Sequence, residues 1–413
     1  MRARTRSSNS REAVRRRNAL LTFVAPSCNL RRHPYGSSRR RCAATRRGLG
    51  FLHGDQSARR WSLLMWSRSR SIVVACGLAG LLAAAAPALA AQAGWRQLTV
   101  PGSASAPDAI PVLLYYPTHA PERSITMGPY VVHVAPQAAP DATFKGLIVI
   151  SHGKGGGELN HESLAEALAR DGYLVAALRH PGDNWQDPSL FERGPAAYLD
   201  ERPRQVSRVL DAILADPQWI DRIARDASGP RVGALGHSAG GYTVLALAGG
   251  RFDLERLAAH CRAHRADDPI FCQRADPNKL AALASAAKFG ASPVADARVR
   301  AIVALAPLGA VFDATSLESI TVPTAIYAAA KDRYLVAPFH ADWVAAHMPA
   351  ATLHVVPNAW HFAFMDPPSG PIPSDDGDLR DDPPGFDRQA FLRELQREVP
   401  AFFDAAFAAS ASH

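Results

Sequence analysis

Arg231-Val232-Gly233-Ala234-Leu235-Gly236-His237-Ser238-Ala239-Gly240-Gly241 runs from an apolar strand through a tight turn into the helical stretch Tyr242-Thr243-Val244-Leu245-Ala246-Leu247. Two glycines bracket Ser238. On so sharp a strand-to-helix turn, side-chain bulk at Gly236 or Gly240 would meet neighbouring backbone, and the serine hydroxyl is left exposed at the helix start. The G-x-S-x-G spacing alone recurs by chance and also describes an ordinary Gly-rich turn. The strand before it and the helix after it supply the context in which such a serine acts as a nucleophile.

Outward from that turn, short apolar runs alternate with amphipathic stretches, the pattern of an α/β fold with a mostly parallel twisted sheet and helices on both faces. Gly146-Leu147-Ile148-Val149-Ile150-Ser151 is a continuous apolar run, as expected of a strand covered on both sides. Strands are predicted at 98–100, 110–116, 173–178, 301–305, 324–329 and 352–356, the second with the alternation of an antiparallel edge hairpin. Val206, Val209, Leu210 and Ile213 mark an amphipathic helix. Another starts near Asp387, a good N-cap, and places Phe391, Leu395, Val399 and Phe402 on one face before ending near Phe407. Residues 248–294 break the alternation and read as a small lid-like insertion after the nucleophile helix. The Pro- and Asp-rich stretch 366–384 reads as an irregular loop.

A serine hydroxyl is a weak nucleophile until a base takes its proton, an acid orients that base and donors receive the developing oxyanion. Asp332, at the end of strand 324–329, is the expected acid, and His361, in Asn358-Ala359-Trp360-His361-Phe362 after the last strand, the expected base. Asp313 is the rival acid, while Asp342 falls in a helix. His354 reads as structural, His237 as packing beside the nucleophile, and His340 and His347 as surface positions. The glycine-rich Ser151-His152-Gly153-Lys154-Gly155-Gly156-Gly157 follows a buried strand and is expected to supply one oxyanion donor from the Lys154 N–H, with the Ala239 N–H as the other. It is no nucleotide loop, because Lys154 precedes glycine rather than Ser or Thr. Trp185 and Trp360 are candidate pocket walls. His161-Glu162-Ser163-Leu164-Ala165 lacks the second histidine of a zinc helix, and no other close His or Asp cluster is legible, so neither metal nor cofactor is expected.

Residues 1–90 hold eighteen arginines and two acids, Glu12 and Asp55, whereas 91–413 hold 28 basic and 36 acidic groups. The overall charge of +8 therefore sits in a basic leader, 1–64, and the rest is acidic, which argues against a nucleic-acid partner. Residues 65–90 carry a positive start, an apolar run and Ala88-Leu89-Ala90 before the expected cleavage point, the layout of a signal peptide. An uncleaved anchor is less favoured, because the run is rich in Ala and Gly, carries Pro87 and lacks a positive stop. A lipidated Cys76 would leave an apolar core of four residues. Either Met1 or Met65 serves as the start. The reading is an exported catalytic domain, 91–413, with no stable membrane insertion after cleavage. In it Cys261 and Cys272 are expected to pair, the alternative being two buried thiols.

Ser151-His152-Gly153 and Gly236-His237-Ser238-Ala239-Gly240-Gly241, with Asp332 and Ala359-Trp360-His361-Phe362, resemble the α/β-hydrolase superfamily, and within it the dienelactone hydrolase and platelet-activating-factor acetylhydrolase-like group. The resemblance spans residues 95–407. It implies hydrolysis of a small-molecule or polymeric carboxylic ester through an acyl-enzyme, with Ser238, Asp332 and His361 at the triad positions. Dienelactone hydrolases use a cysteine where Ser238 stands, so their substrate does not transfer. A peptidase or acyltransferase with the same triad, or a non-catalytic secreted binding protein, are the alternatives.

Overall fold

A computed structural model describes residues 91–273, 276–286 and 294–410. The leader and signal-peptide expectations lie outside the described residues, as does part of the insertion. In chain order the elements are β1 (Gln92–Val100), β2 (Ile110–Thr118), β3 (Arg123–Met127), β4 (Tyr130–Pro136), β5 (Leu147–Ser151), α1 (Glu162–Arg170), β6 (Leu174–Leu178) and α2 (Pro195–Ala215). Next come β7 (Val232–His237), α3 (Ala239–Leu247), α4 (Leu254–Ala263), α5 (Pro269–Gln273) and α6 (Pro277–Ala286). The chain closes with β8 (Val299–Leu305), β9 (Thr324–Ala329), α7 (Ala341–Ala346), β10 (Ala351–Val356) and α8 (Arg388–Ser410).

Ten strands form one sheet in the order β10-β9-β8-β7-β5-β6-β2-β1-β4-β3. The six from β10 to β6 are mutually parallel. Their apolar runs lack alternation because helices cover both faces. Val206, Val209 and Leu210 of α2 and Tyr242 and Leu245 of α3 pack on one side; Leu164 and Leu168 of α1 and Val399 and Phe403 of α8 pack on the other.

The chain steps from β5 outward to β6, then recrosses through α2 to β7 on the other flank of β5. At such a reversal the connections leaving adjacent strand ends diverge and open a crevice. The loop after β5 and the turn after β7 both leave at that point.

β2 corrects the sequence reading. It is not at an edge but lies between β1 and β6, antiparallel to both, and is buried along nearly its whole length. The edge is taken by β3, which pairs with β4 through the two-residue turn Gly128-Pro129, with Gly128 at a φ of 58°. That turn, between two short alternating runs, was the available signal.

Within the insertion a disulfide joins Cys261 of α4 to Cys272 of α5, a crosslink of the kind that persists in oxidising compartments. Among the described residues no helix is long and apolar enough to cross a membrane. Loop-closure entropy for so short a crosslink is worth about 3 kcal/mol. Replacing both cysteines by alanine is therefore expected to lower the unfolding free energy measured in urea by about 3 kcal/mol, and an unchanged unfolding free energy would show that the crosslink does not constrain the unfolded chain.

Candidate active site

β7 ends at His237 and α3 begins at Ala239, so Ser238 alone makes the turn, at φ 57° and ψ −116°. L-residues rarely adopt that geometry, and it persists only where the surroundings enforce it. Here the Ser238 N–H donates to the Leu305 carbonyl at 2.9 Å, while the Ser238 carbonyl accepts from Tyr242 and Leu308 at 3.1 and 3.0 Å. A Cβ on Gly236 would lie 2.1 Å from the Gly240 carbonyl oxygen, and one on Gly240 would lie 1.9 Å from that of Ser151. Both glycines of the motif are thus sterically required.

Asp332 and His361 meet at 2.7 Å, Oδ2 to Nδ1, and both are buried. The other carboxylate oxygen, Oδ1, accepts the N–H groups of Tyr334 and Leu335 at 2.8 Å each. With Asp332 so held, the His361 proton resides on Nδ1 and the Nε2 lone pair is left for a proton acceptor's role. The Tyr334 ring stacks on the imidazole at 5.0 Å. His237, next to Ser238, donates from Nε2 to the His361 carbonyl at 3.0 Å. The loop of His361 is thereby tied to the turn of Ser238.

The loop after β5 is braced from behind. Arg202 of α2, fully buried, pairs with buried Asp183 and donates to the His152 carbonyl, to Thr243 Oγ1 at 3.1 Å and to Ser151 Oγ at 3.2 Å. Asp183 in turn accepts the Gly155 N–H at 2.9 Å and the Tyr198 hydroxyl at 2.7 Å. His152 donates from Nδ1 to the Gly153 carbonyl and accepts the His180 N–H at Nε2. Burial, aided by the Arg202 charge, pushes its pKa down to about 3, so it stays neutral. Lys154 and Ala239 border the same cleft as Ser238. As the first residue of α3, Ala239 has an N–H with no acceptor inside the helix.

No protein-family model matches the sequence, and no curated protein does. Among solved structures the chain is similar to a ferulic acid esterase from Streptomyces cinnamoneus, at 19% identity and a TM-score of 0.51, over 78% of this chain and 92% of that one. The chain has the α/β-hydrolase fold. At that identity the likeness bears on architecture, and in this α/β-hydrolase fold Ser238, Asp332 and His361 stand where the sequence reading set them: after β7, after β9 and after β10.

The remaining candidates fall elsewhere. Asp313 caps a short helix through the N–H groups of Thr315 and Ser316 and pairs with Arg251. Asp342 sits in α7, His354 stacks on Tyr327 at 4.5 Å, and His347 lies against Trp343 at 3.6 Å. Trp185 and Trp360 do not line the cleft: Trp185 is 68% exposed beside Gly157, and Trp360 lies under the Arg333 guanidinium. Phe191, Tyr198 and Phe271 are the aromatic walls instead.

His340 is a correction: it is fully buried rather than at the surface. His340 and His260 each place Nε2 2.9 Å from Asp268 Oδ2, a cluster that sequence spacing did not disclose. It could pass for a metal site, but His340 Nδ1 accepts the N–H groups of Gly309 and Ala310, so its proton is on Nε2 and no lone pair faces an ion. Burial raises the Asp268 pKa, but the hydrogen bonds from the two imidazoles outweigh it and hold the group down to about 2. Arg202, Asp183 and His180, whose Nδ1 lies 2.7 Å from Gln205 Oε1, were also missed. A charged residue inside an otherwise apolar helix face, Arg202 beside Val206, was the only local hint.

His161 and Glu162 are structural. The His161 ring donates from Nδ1 to the Phe364 carbonyl, and Glu162 is buried near Asp366. Burial, reinforced by the Asp366 charge, pushes the Glu162 pKa up to about 12. A raised carboxyl pKa favours the fold below the unfolded value and loses that contribution as pH rises. Glu162→Gln should therefore gain melting temperature over wild type progressively from pH 5 to pH 9, and a pH-independent difference would refute the buried neutral acid. Gly240→Ala should cost at least the roughly 3 kcal/mol at the top of the usual overpacking range, measured by urea unfolding. Gly370→Ala, with open space around its Cβ, is the control; equal costs would contradict the close approach to Ser151.

Proposed function

We propose that the protein is a serine hydrolase that cleaves carboxylic esters through an acyl-enzyme. The observation that carries this reading is the buried Asp332–His361 hydrogen bond, with Asp332 fixed by two backbone donors and His361 tethered through His237 to the strained turn of Ser238. The ester hydrolase with a similar fold lends support. So does the apolar cleft into which Ser238 opens.

In this mechanism Ser238 Oγ attacks the ester carbonyl carbon while His361 Nε2 takes the hydroxyl proton. The imidazolium is stabilised by Asp332, and the carbonyl oxygen, now negative, is received by the N–H groups of Ala239 and Lys154. Collapse expels the alcohol, which leaves with the proton from His361. Water then attacks the acyl-enzyme along the same path, releasing the acid and restoring Ser238. Electrostatic stabilisation by donors already fixed in the fold is usually the largest single contribution in such sites, which gives the Arg202 and Asp183 bracing of the donor loop a catalytic purpose.

The protein is proposed to be exported after cleavage near Ala90, in keeping with the Cys261–Cys272 disulfide, and to belong near the dienelactone hydrolase and platelet-activating-factor acetylhydrolase-like group. The insertion is proposed to act as the roof of the cleft.

Hydrolysis of p-nitrophenyl butyrate by the purified protein tests this directly. Ser238→Ala and His361→Ala are each expected to lower kcat by on the order of 10⁴-fold or more, with Asp332→Asn losing a comparable factor. Retention of activity in Ser238→Ala would refute the assignment, and cleavage of peptides but no ester would redirect it to a peptidase.

A further inference from the structure

The cleft holding Ser238 has a volume of about 420 Å³. From the insertion, Leu257, Ile270, Phe271 and Leu280 face it; from the body, Leu308 and Val311 do. Four charged residues stand on its border, Lys154, Asp276, Lys279 and Asp375, and each has a partner there; Asp375 accepts the Tyr334 hydroxyl at 3.3 Å. The Lys154 ammonium lies over the face of the Phe191 ring at 3.9 Å, a favourable cation–π placement. Asp276 and Lys279 approach to 4.0 Å, and Asp276 also accepts the N–H groups of Asn278 and Lys279. Beyond that border, a carboxylate or ammonium placed among the alkyl walls would lose hydration.

We propose that this cleft binds an uncharged apolar chain of medium length, so that the preferred substrates are esters with such a chain on one side of the reacting carbonyl. The proposal rests on the serine hydrolase reading above. At about 30 Å³ for each water-sized group, the volume accommodates roughly a dozen chain atoms, more than an acetyl group and less than a long fatty chain folded on itself.

The width of the cleft is built into the fold rather than left to the ligand. Asp268 stands immediately before α5, whose Ile270 and Phe271 form one wall, and it binds both His260 of α4 and His340 of the body. Phe271 lies edge-on to the His340 ring at 4.8 Å. The disulfide adds a second tie between α4 and α5. His340 simultaneously holds the N–H groups of Gly309 and Ala310, the two residues between Leu308 and Val311 of the opposite wall. Both walls are thus referred to one buried carboxylate. A cleft fixed before binding gives up little ordering entropy when a chain enters, and selects by length because it cannot spread.

The test is kcat/KM measured on two ester series with the purified protein: p-nitrophenyl acetate through p-nitrophenyl dodecanoate, and ethyl through octyl acetate. One series should rise about fourfold per methylene, the factor corresponding to about 0.8 kcal/mol per buried CH₂, and level off near roughly eight to twelve carbons as the cleft fills. The series that rises tells whether the acyl or the alcohol side occupies the cleft. Leu280→Trp should lower the octanoate-to-acetate ratio, or the octyl-to-ethyl ratio, at least tenfold. Series that are both flat, or a preference for dicarboxylic half-esters, would overturn the proposal even without any variant. Labelling of Ser238 by a small ethyl fluorophosphonate separates the two levels: labelling with flat series removes only the chain-binding site, whereas no labelling at all removes the hydrolase reading with it.

Discussion

The approach of Gly240 to the Ser151 carbonyl is the constraint on which the site depends. At the start of α3 there is room for a hydrogen and not for a Cβ, so the nucleophile helix begins pressed against the end of β5. That contact sets two things together. It forces Ser238 into its left-handed turn between β7 and α3, and it places the β5 loop, with Lys154, beside the first N–H of that helix. Because β5 and β7 are adjacent parallel strands at the point where the chain reverses direction across the sheet, the turn of Ser238 and the glycine-rich loop after β5 are brought to the same crevice by topology.

Polar groups behind this crevice are buried and almost wholly committed to one another. Arg202 satisfies Asp183, Ser151, Thr243 and the His152 carbonyl at once, and removing one member of a buried charge pair is strongly destabilising because the other remains unpaired. His152, His161, His180, His237 and His340 are all held below the ordinary imidazole pKa, chiefly by burial. Such histidines favour the fold above the unfolded imidazole value and penalise it as pH falls. Glu162, with its pKa raised, pulls in the opposite direction as pH rises. Stability is consequently shaped from both sides of neutrality by groups that support the site without taking part in its chemistry.

What was legible from sequence was whatever periodicity and local turn chemistry encode. Strand 324–329 coincides with β9, the runs 146–151 and 231–235 begin one residue before β5 and β7, and Asp387 accepts the Ala390 N–H at the start of α8. Asp332 and His361, placed by the sequence at the ends of neighbouring strands, meet in a hydrogen bond. Partners far apart in the chain were not legible. Arg202 and Asp183, or Asp268 and His340, are separated by connections whose path the alternation of apolar residues does not specify. The edge hairpin was missed for a related reason: β3 and β4 are short, and with their turn unrecognised β2 appeared to be the edge. His340 looked like a surface residue because its neighbours in sequence are helical, yet it faces the insertion rather than solvent.

The proposed chemistry requires the turn of Ser238 and the β5 loop to form one oxyanion-binding nucleophile site served by His361. A crystal structure of the protein after reaction with an alkyl fluorophosphonate tests it most directly. Phosphorus is expected on Ser238 Oγ, with a phosphonyl oxygen within about 2.7–3.1 Å of the Ala239 and Lys154 N–H groups and His361 Nε2 facing the adduct. An adduct on another residue, or a phosphonyl oxygen directed to solvent with His361 turned away, would contradict it.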